Sequence, residues 1–145
     1  MKLREGEQVV LDDGYLGFRR KLTLTNQRLI FWRKHGFFVT SWAQEEEISL
    51  AEIEEAYAKS SGAFGWSSAM LKMKNDKSVE LGLKIPDSEP FTPDLQGESL
   101  SSMHQRLKAI NDRWVDAINS QLMAKVEVRT QEFEDRNSEL EEKIK

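Results

Sequence analysis

The chain reads most clearly from Leu22 to Trp32, LTLTNQRLIFW, where two short apolar runs face each other across Asn26-Gln27. Leu22 and Leu24 alternate with Thr23 and Thr25, and Leu29 and Phe31 alternate with Arg28, Ile30 and Trp32. A period of two is the pattern of a strand with one buried face, so the stretch predicts a hairpin that buries Leu22, Leu24, Leu29 and Phe31. Upstream, Gln8–Leu11 predicts a first strand and Asp12-Asp13-Gly14 a turn, with Tyr15, Leu16 and Phe18 extending the pairing. Downstream, residues 45–49 and 52–59 predict two short strands, although their Glu and Ala content also suits a helix. Ala69, Leu71 and Met73 alternate with Met70, Lys72 and Lys74, and Val79, Leu81 and Leu83 return on the same period across Asn75-Asp76-Lys77. These predict a second hairpin, 68–74 with 78–84.

The pattern then changes. All three prolines fall between Pro86 and Pro93, which predicts a loop over 86–98 with Phe91 and Leu95 as anchors. Ser99 is the expected helix N-cap, with Ser101 and Ser102 as rivals. Met103, Leu107, Ile110, Trp114, Ala117 or Ile118, and Leu122 recur at three and four residues, the stripe of a helix covering one end or face of a sheet. Beyond it Val126, Phe133 and Leu140 are spaced by seven, with Ile144 following. This predicts a charged extension over 125–145, either a coiled coil or a marginal helix, because Arg129, Arg136 and Asn137 interrupt the seam. The pattern is still running at Lys145, as in a segment taken from a longer protein.

Composition narrows the function classes. At 145 residues the chain is long enough for one domain with an appendage. No run of eighteen apolar residues exists and MKLREGEQ has no apolar core, so neither a membrane span nor a secretory signal is expected. With no cysteine there is no disulfide framework and no thiolate nucleophile, which points to a cytoplasmic location. The net charge of -4 hides an asymmetry: residues 1–44 carry +4 and the remainder -8. Such a split can orient a molecule toward an anionic surface, while the overall acidity argues against a nucleic-acid partner.

No nucleotide-binding, zinc-protease or serine-elbow motif is present, and His35 and His104 lack a ligand set. The expectation is therefore a non-enzymatic protein without cofactor or metal. The candidate contacts are instead basic and aromatic. Arg19, Arg20 and Lys21 precede the first hairpin, and Arg33 and Lys34 follow it, leading into Phe37, Phe38, Val39 and Trp42. Cations beside aromatic rings suit a membrane interface, but the same stretch also reads as a strand with Phe37 and Val39 inward after a turn at Gly36. Phe64 and Trp66, in the turn-like SSGAFGWS, read either as a lid on the core or as a partner contact.

Lys21 to Arg33, KLTLTNQRLIFWR, resembles the second and third strands of GRAM and GLUE domains of the pleckstrin-homology-like superfamily. The likeness lies in Leu24-Thr25-Asn26 followed by Arg28-Leu29-Ile30, and in Ile48-Ser49-Leu50-Ala51-Glu52-Ile53, similar to the family's I-x-L-x-x-I step. The resemblance implies an α+β, mainly β fold: a bent seven-stranded sheet or partly open barrel over residues 1–124, capped by a C-terminal α-helix. It also implies a non-catalytic adaptor in protein transport, peripheral at a membrane rather than spanning it. Anionic phospholipid is one implied partner; ubiquitin or another protein is a second, since GLUE domains belong to the ESCRT-II complex. The other reading is a scaffold that positions the C-terminal helix. Glu45, Glu46 and Glu47, if near the basic loops, would oppose phosphate binding.

Overall fold

The computed structural model describes residues 2–61, 66–86 and 100–144. Among these described residues seven strands form two antiparallel sheets, followed by one helix. The first sheet has the order β1 (Val9–Gly17), β2 (Arg20–Thr25), β3 (Arg28–His35), β4 (Ser41–Ser49). A 3-10 turn, Leu50–Glu52, leads into the second sheet: β5 (Ile53–Ser61), β6 (Trp66–Met73), β7 (Ser78–Glu80). The helix α1 runs without a break from Leu100 to Ile144, through residue 124, where the sequence pattern changes. The chain is thus mainly β with a C-terminal helix, as expected, but its strands divide four and three rather than forming one sheet.

The predicted hairpin is β2–β3, in register from Arg20↔Arg33 to Leu24↔Leu29. Leu22, Leu24 and Leu29 are fully buried and Phe31 nearly so, within a core that also takes Ile48, Leu50, Ile53, Leu71, Leu81, Trp114 and Ile118. The opposite face of the hairpin departs from the simple alternation. Thr23, Thr25, Ile30 and Trp32 are buried as well. Their polar atoms are paired: the Trp32 Nε1–H donates to Thr23 Oγ1 at 2.9 Å, and Thr23 in turn donates to Asp12 Oδ1 at 2.5 Å. Partnered polar atoms remove most of the cost of burying them, so β3 is interior on both faces from Arg28 to Trp32.

Asp12-Asp13-Gly14 is not a turn. Leu11 pairs with Leu24 and Gly14 with Leu22, so β1 spends one more residue than β2 over this step. That is a bulge, which bends the strand and lets it follow the curved core. The reversal comes later, at Phe18-Arg19. The second hairpin is present as β6–β7, but β7 ends at Glu80 rather than at residue 84. The following residues stay inward, with Leu81, Leu83 and Ile85 buried, while the Lys84 N–H donates to the Tyr15 carbonyl at 2.8 Å. The chain leaves β6 and joins β1, linking the two sheets. The predicted loop and the anchors Phe91 and Leu95 lie outside the described residues, as does the N-cap Ser99.

The helix packs on β5 and β6, burying Trp114, Val115 and Ile118, with Ile110, Ala117 and Leu122 beside them. Met103 and Leu107, also on the predicted stripe, are half-buried. Two asparagines that the apolar stripe did not include hold it in place. Asn119 exchanges two hydrogen bonds with the Ala56 backbone, at 2.8 and 2.9 Å. Asn111, fully buried, donates to the Ser67 carbonyl at 3.0 Å.

Candidate functional site

The site is built where two chain reversals meet. Gly17 and Arg19 both have positive φ, 120° and 59°, and this reverses β1 into β2. For a side-chain-bearing residue such as Arg19 the left-handed region costs on the order of 1 kcal/mol, so something must hold it there. Its carbonyl accepts the Lys34 N–H at 2.9 Å, and its guanidinium Nη1 donates to the Gly36 carbonyl at 2.9 Å. Arg19 therefore fastens the β1–β2 turn to the β3–β4 tip. The tip depends on Gly36, at φ 100°, where a Cβ would run into the Val39 carbonyl.

Cations and rings interleave on this edge. The Arg19 guanidinium lies 5.3 Å from the Phe18 ring centroid and 5.9 Å from that of Phe37. Lys21 Nζ sits between Trp42 at 4.8 Å and Trp32 at 5.7 Å, and Lys34 Nζ is 5.8 Å from Trp42. These distances are within the range of cation–π attraction. Two clefts flank the turn. The larger, about 610 Å³, has walls that include Tyr15, Lys21, Lys34, Trp42 and the carboxylates of Asp12 and Asp13. The smaller, about 430 Å³, is lined by Arg19, Arg20, Arg33, Lys34 and His35 with Phe18 and Gly36, and no carboxylate is part of its lining.

The acidic run divides by partner. Glu45 bridges Arg20 at 3.4 Å and Arg33 at 3.2 Å, and Asp12 Oδ1 lies 3.9 Å from Lys21 Nζ, so three of the five candidate cations are partly neutralised. Glu47 pairs instead with Arg28 and Arg4 at the other end of β3. There Arg28 also holds Glu7, at 2.9 Å through Nε and 3.0 Å through Nη2. Hydrogen bonds from Arg28, opposed in part by burial and aided by Arg4 and Thr25, hold the Glu7 carboxyl down at about 2. This buried pair clamps the N-terminal segment over the β2–β3 turn, where Asn26 also accepts from Gln8 N at 2.8 Å. It is part of the frame rather than of the site.

Of the sequence-predicted contacts, Arg19, Arg20, Lys21, Arg33, Lys34, Phe37 and Phe38 come together here. The inward placement of Phe37 and Val39 is corrected: Phe37, Phe38 and Val39 are 92%, 102% and 88% exposed. Strand alternation buries a residue only if something covers its face, and β3 has ended at His35 before these residues begin. Trp66 is elsewhere, at the start of β6, with its ring centroid 3.8 Å from that of His104 on α1. Phe64 lies outside the described residues. His35 is an exposed residue at the end of β3. Phe18, expected to extend the strand pairing, is instead 83% exposed at the β1–β2 reversal, because β1 ends at Gly17. The glycine before it and the three cations after it, GFRRK, were the available signal.

Among the described residues no group of three or more His, Asp or Glu side chains is placed to hold a metal ion. No helix among them is long and apolar enough to cross a membrane. No protein-family model, no curated protein and no solved structure matches this chain.

Proposed function

We infer that this chain carries a non-catalytic, PH-like module of the GRAM or GLUE type that docks peripherally on an anionic lipid surface. The observation that carries the reading is the fastening of the β1–β2 turn to the β3–β4 tip through Arg19. With the β2–β3 register, which sets Arg20 opposite Arg33, it gathers Arg19, Arg20, Lys21, Arg33 and Lys34 on one edge. Four plus three antiparallel strands followed by a C-terminal helix support the PH-like assignment. Lys and Arg near an anionic leaflet each add about 1 kcal/mol of attraction that falls off within a Debye length. Such a module belongs on the cytoplasmic side, where that leaflet is found. Co-sedimentation with phosphatidylcholine vesicles, with and without phosphatidylserine, tests it at low and high salt. Binding should require or be strengthened by the anionic lipid and weaken with salt; indifference to both anionic lipid and salt rejects the reading.

The helix supports a second reading, a module that presents an interaction helix to a protein partner, ubiquitin or an ESCRT-like subunit among them. At 1.5 Å per residue its 45 residues extend roughly 67 Å, and among the described side chains its packing against the core reaches to Leu122. An NMR titration with ubiquitin that moves no amide removes the ubiquitin version.

A further inference from the structure

The geometry points to the β3–β4 tip as an apolar wedge that enters the acyl-chain region of a bilayer. The domain would then hold an anionic membrane by insertion as well as by charge. The inference rests on the lipid-docking reading and specifies how the same edge engages its partner. Phe37, Phe38 and Val39 are consecutive, and each is at least 88% exposed; Phe18, 83% exposed, stands beside them across Arg19. Single exposed apolar residues are ordinary, but four large ones on two adjoining reversals form a patch. The tip is held in its shape by backbone features, Gly36 at positive φ and the Arg19 bond to its carbonyl. It is therefore a preformed projection.

What selects a bilayer as the occupant is the order of residue types along the hairpin. The apolar tip comes first. Next, level with one another by strand register, come His35 with Ser41, Lys34 with Trp42, and Arg33 with both Ala43 and Arg20. The acid Glu45 follows. At ~3.4 Å per residue, Trp42 stands roughly 10 Å and Glu45 roughly 20 Å behind Val39. The polar region of one leaflet is roughly 5–8 Å deep. With the tip in hydrocarbon, Lys34 and Trp42 fall at the headgroups, where Trp rings and cations are favoured, and Glu45 falls beyond them in water. An apolar protein groove would match the tip but would not call for this cationic band followed by acids.

The test uses the full chain and vesicles of phosphatidylcholine with phosphatidylserine. The Phe37→Asp/Phe38→Asp variant should keep the wild-type circular dichroism and melting temperature, since both rings are outside the core. Its vesicle partition should fall by ~100-fold, about tenfold for each ring withdrawn from hydrocarbon, including at high salt. A Phe38→Trp variant should show emission that shifts to the blue and is quenched by lipids brominated on the acyl chain, beyond the response of the wild type. If the double variant binds anionic vesicles as well as the wild type, insertion is wrong while charge-driven docking stands. If the wild type binds no vesicle of any composition, both readings fall. If it sediments as a dimer that the double variant dissolves, without vesicle binding, the tip is a self-association surface and the wedge is rejected.

Discussion

Trp114 of the helix lies directly over Gly14 of β1. A Cβ placed on Gly14 would stand 2.7 Å from the indole Cζ2, and 2.8 and 2.9 Å from the Leu22 Cβ and carbonyl oxygen. The glycine thus serves close approach, letting the largest fully buried side chain reach the bulged strand. Gly14→Ala should destabilise the fold by about 1–3 kcal/mol through overpacking. Urea denaturation measures it, and a stability equal to wild type would show that the indole has room to retreat.

Asn119 covers a weak point of a different kind. β5 is the outer strand of its sheet, and Asn119 satisfies both the N–H and the carbonyl of Ala56 on that edge. Replacing it with Ala strands a backbone donor and an acceptor under the helix, a loss of about 2 kcal/mol. Hydrogen exchange at the Ala56 amide should accelerate along with the drop in melting temperature; unchanged protection would contradict this account.

Glu7 gives the fold an acid limb. Its folded-state value of about 2 lies below the ordinary 4.5, so the stability it contributes is complete above about 4.5 and is lost as pH falls toward 2. Glu47, also held below the ordinary range chiefly by its hydrogen bond from Arg28, adds to the slope in the same direction. Glu7→Gln leaves the buried Arg28 short of its main partner and should cost about 3 kcal/mol at neutral pH. The variant should also lose part of the wild type's steepness below pH 4.5, seen in melts across that range.

Glu45 and Arg19 separate binding from folding. Glu45→Gln releases Arg20 and Arg33 to an anionic surface and adds one net positive charge; at ~1 kcal/mol per unit of charge the affinity for phosphatidylserine vesicles should rise about fivefold at low salt. Arg19→Gly relieves the left-handed strain and unties the two reversals. It should leave the melting temperature level or raised while weakening vesicle binding. A parallel loss of both would mark Arg19 as structural only.

Periodicity made the β2–β3 hairpin and the helix stripe legible, because the inward residues, Leu22, Leu24, Leu29, Trp114 and Ile118, are apolar in the right phase. It could not foresee that Thr23 and Trp32 would be buried behind them. Their burial depends on a hydrogen-bond chain to Asp12, which comes from another strand. Asp12-Asp13-Gly14 was misread because turns and bulges draw on the same residues; only the later pairing of Gly14 with Leu22 distinguishes them. The cations of the site were visible as local runs. Their convergence follows from the same hairpin, whose register sets Arg20 against Arg33; what no local pattern encodes is the contact of Arg19 with Gly36 that ties the two reversals together.

Asn111 and Asn119 grip two different strands eight residues apart, about 12 Å along the axis of α1. Two such fixed points set the phase of the helix as well as its height. Because the helix is continuous to Ile144, that phase carries outward, and adding one residue just after Leu122 would turn everything beyond it by about 100° while leaving the contacts of Trp114, Ile118 and Leu122 in place.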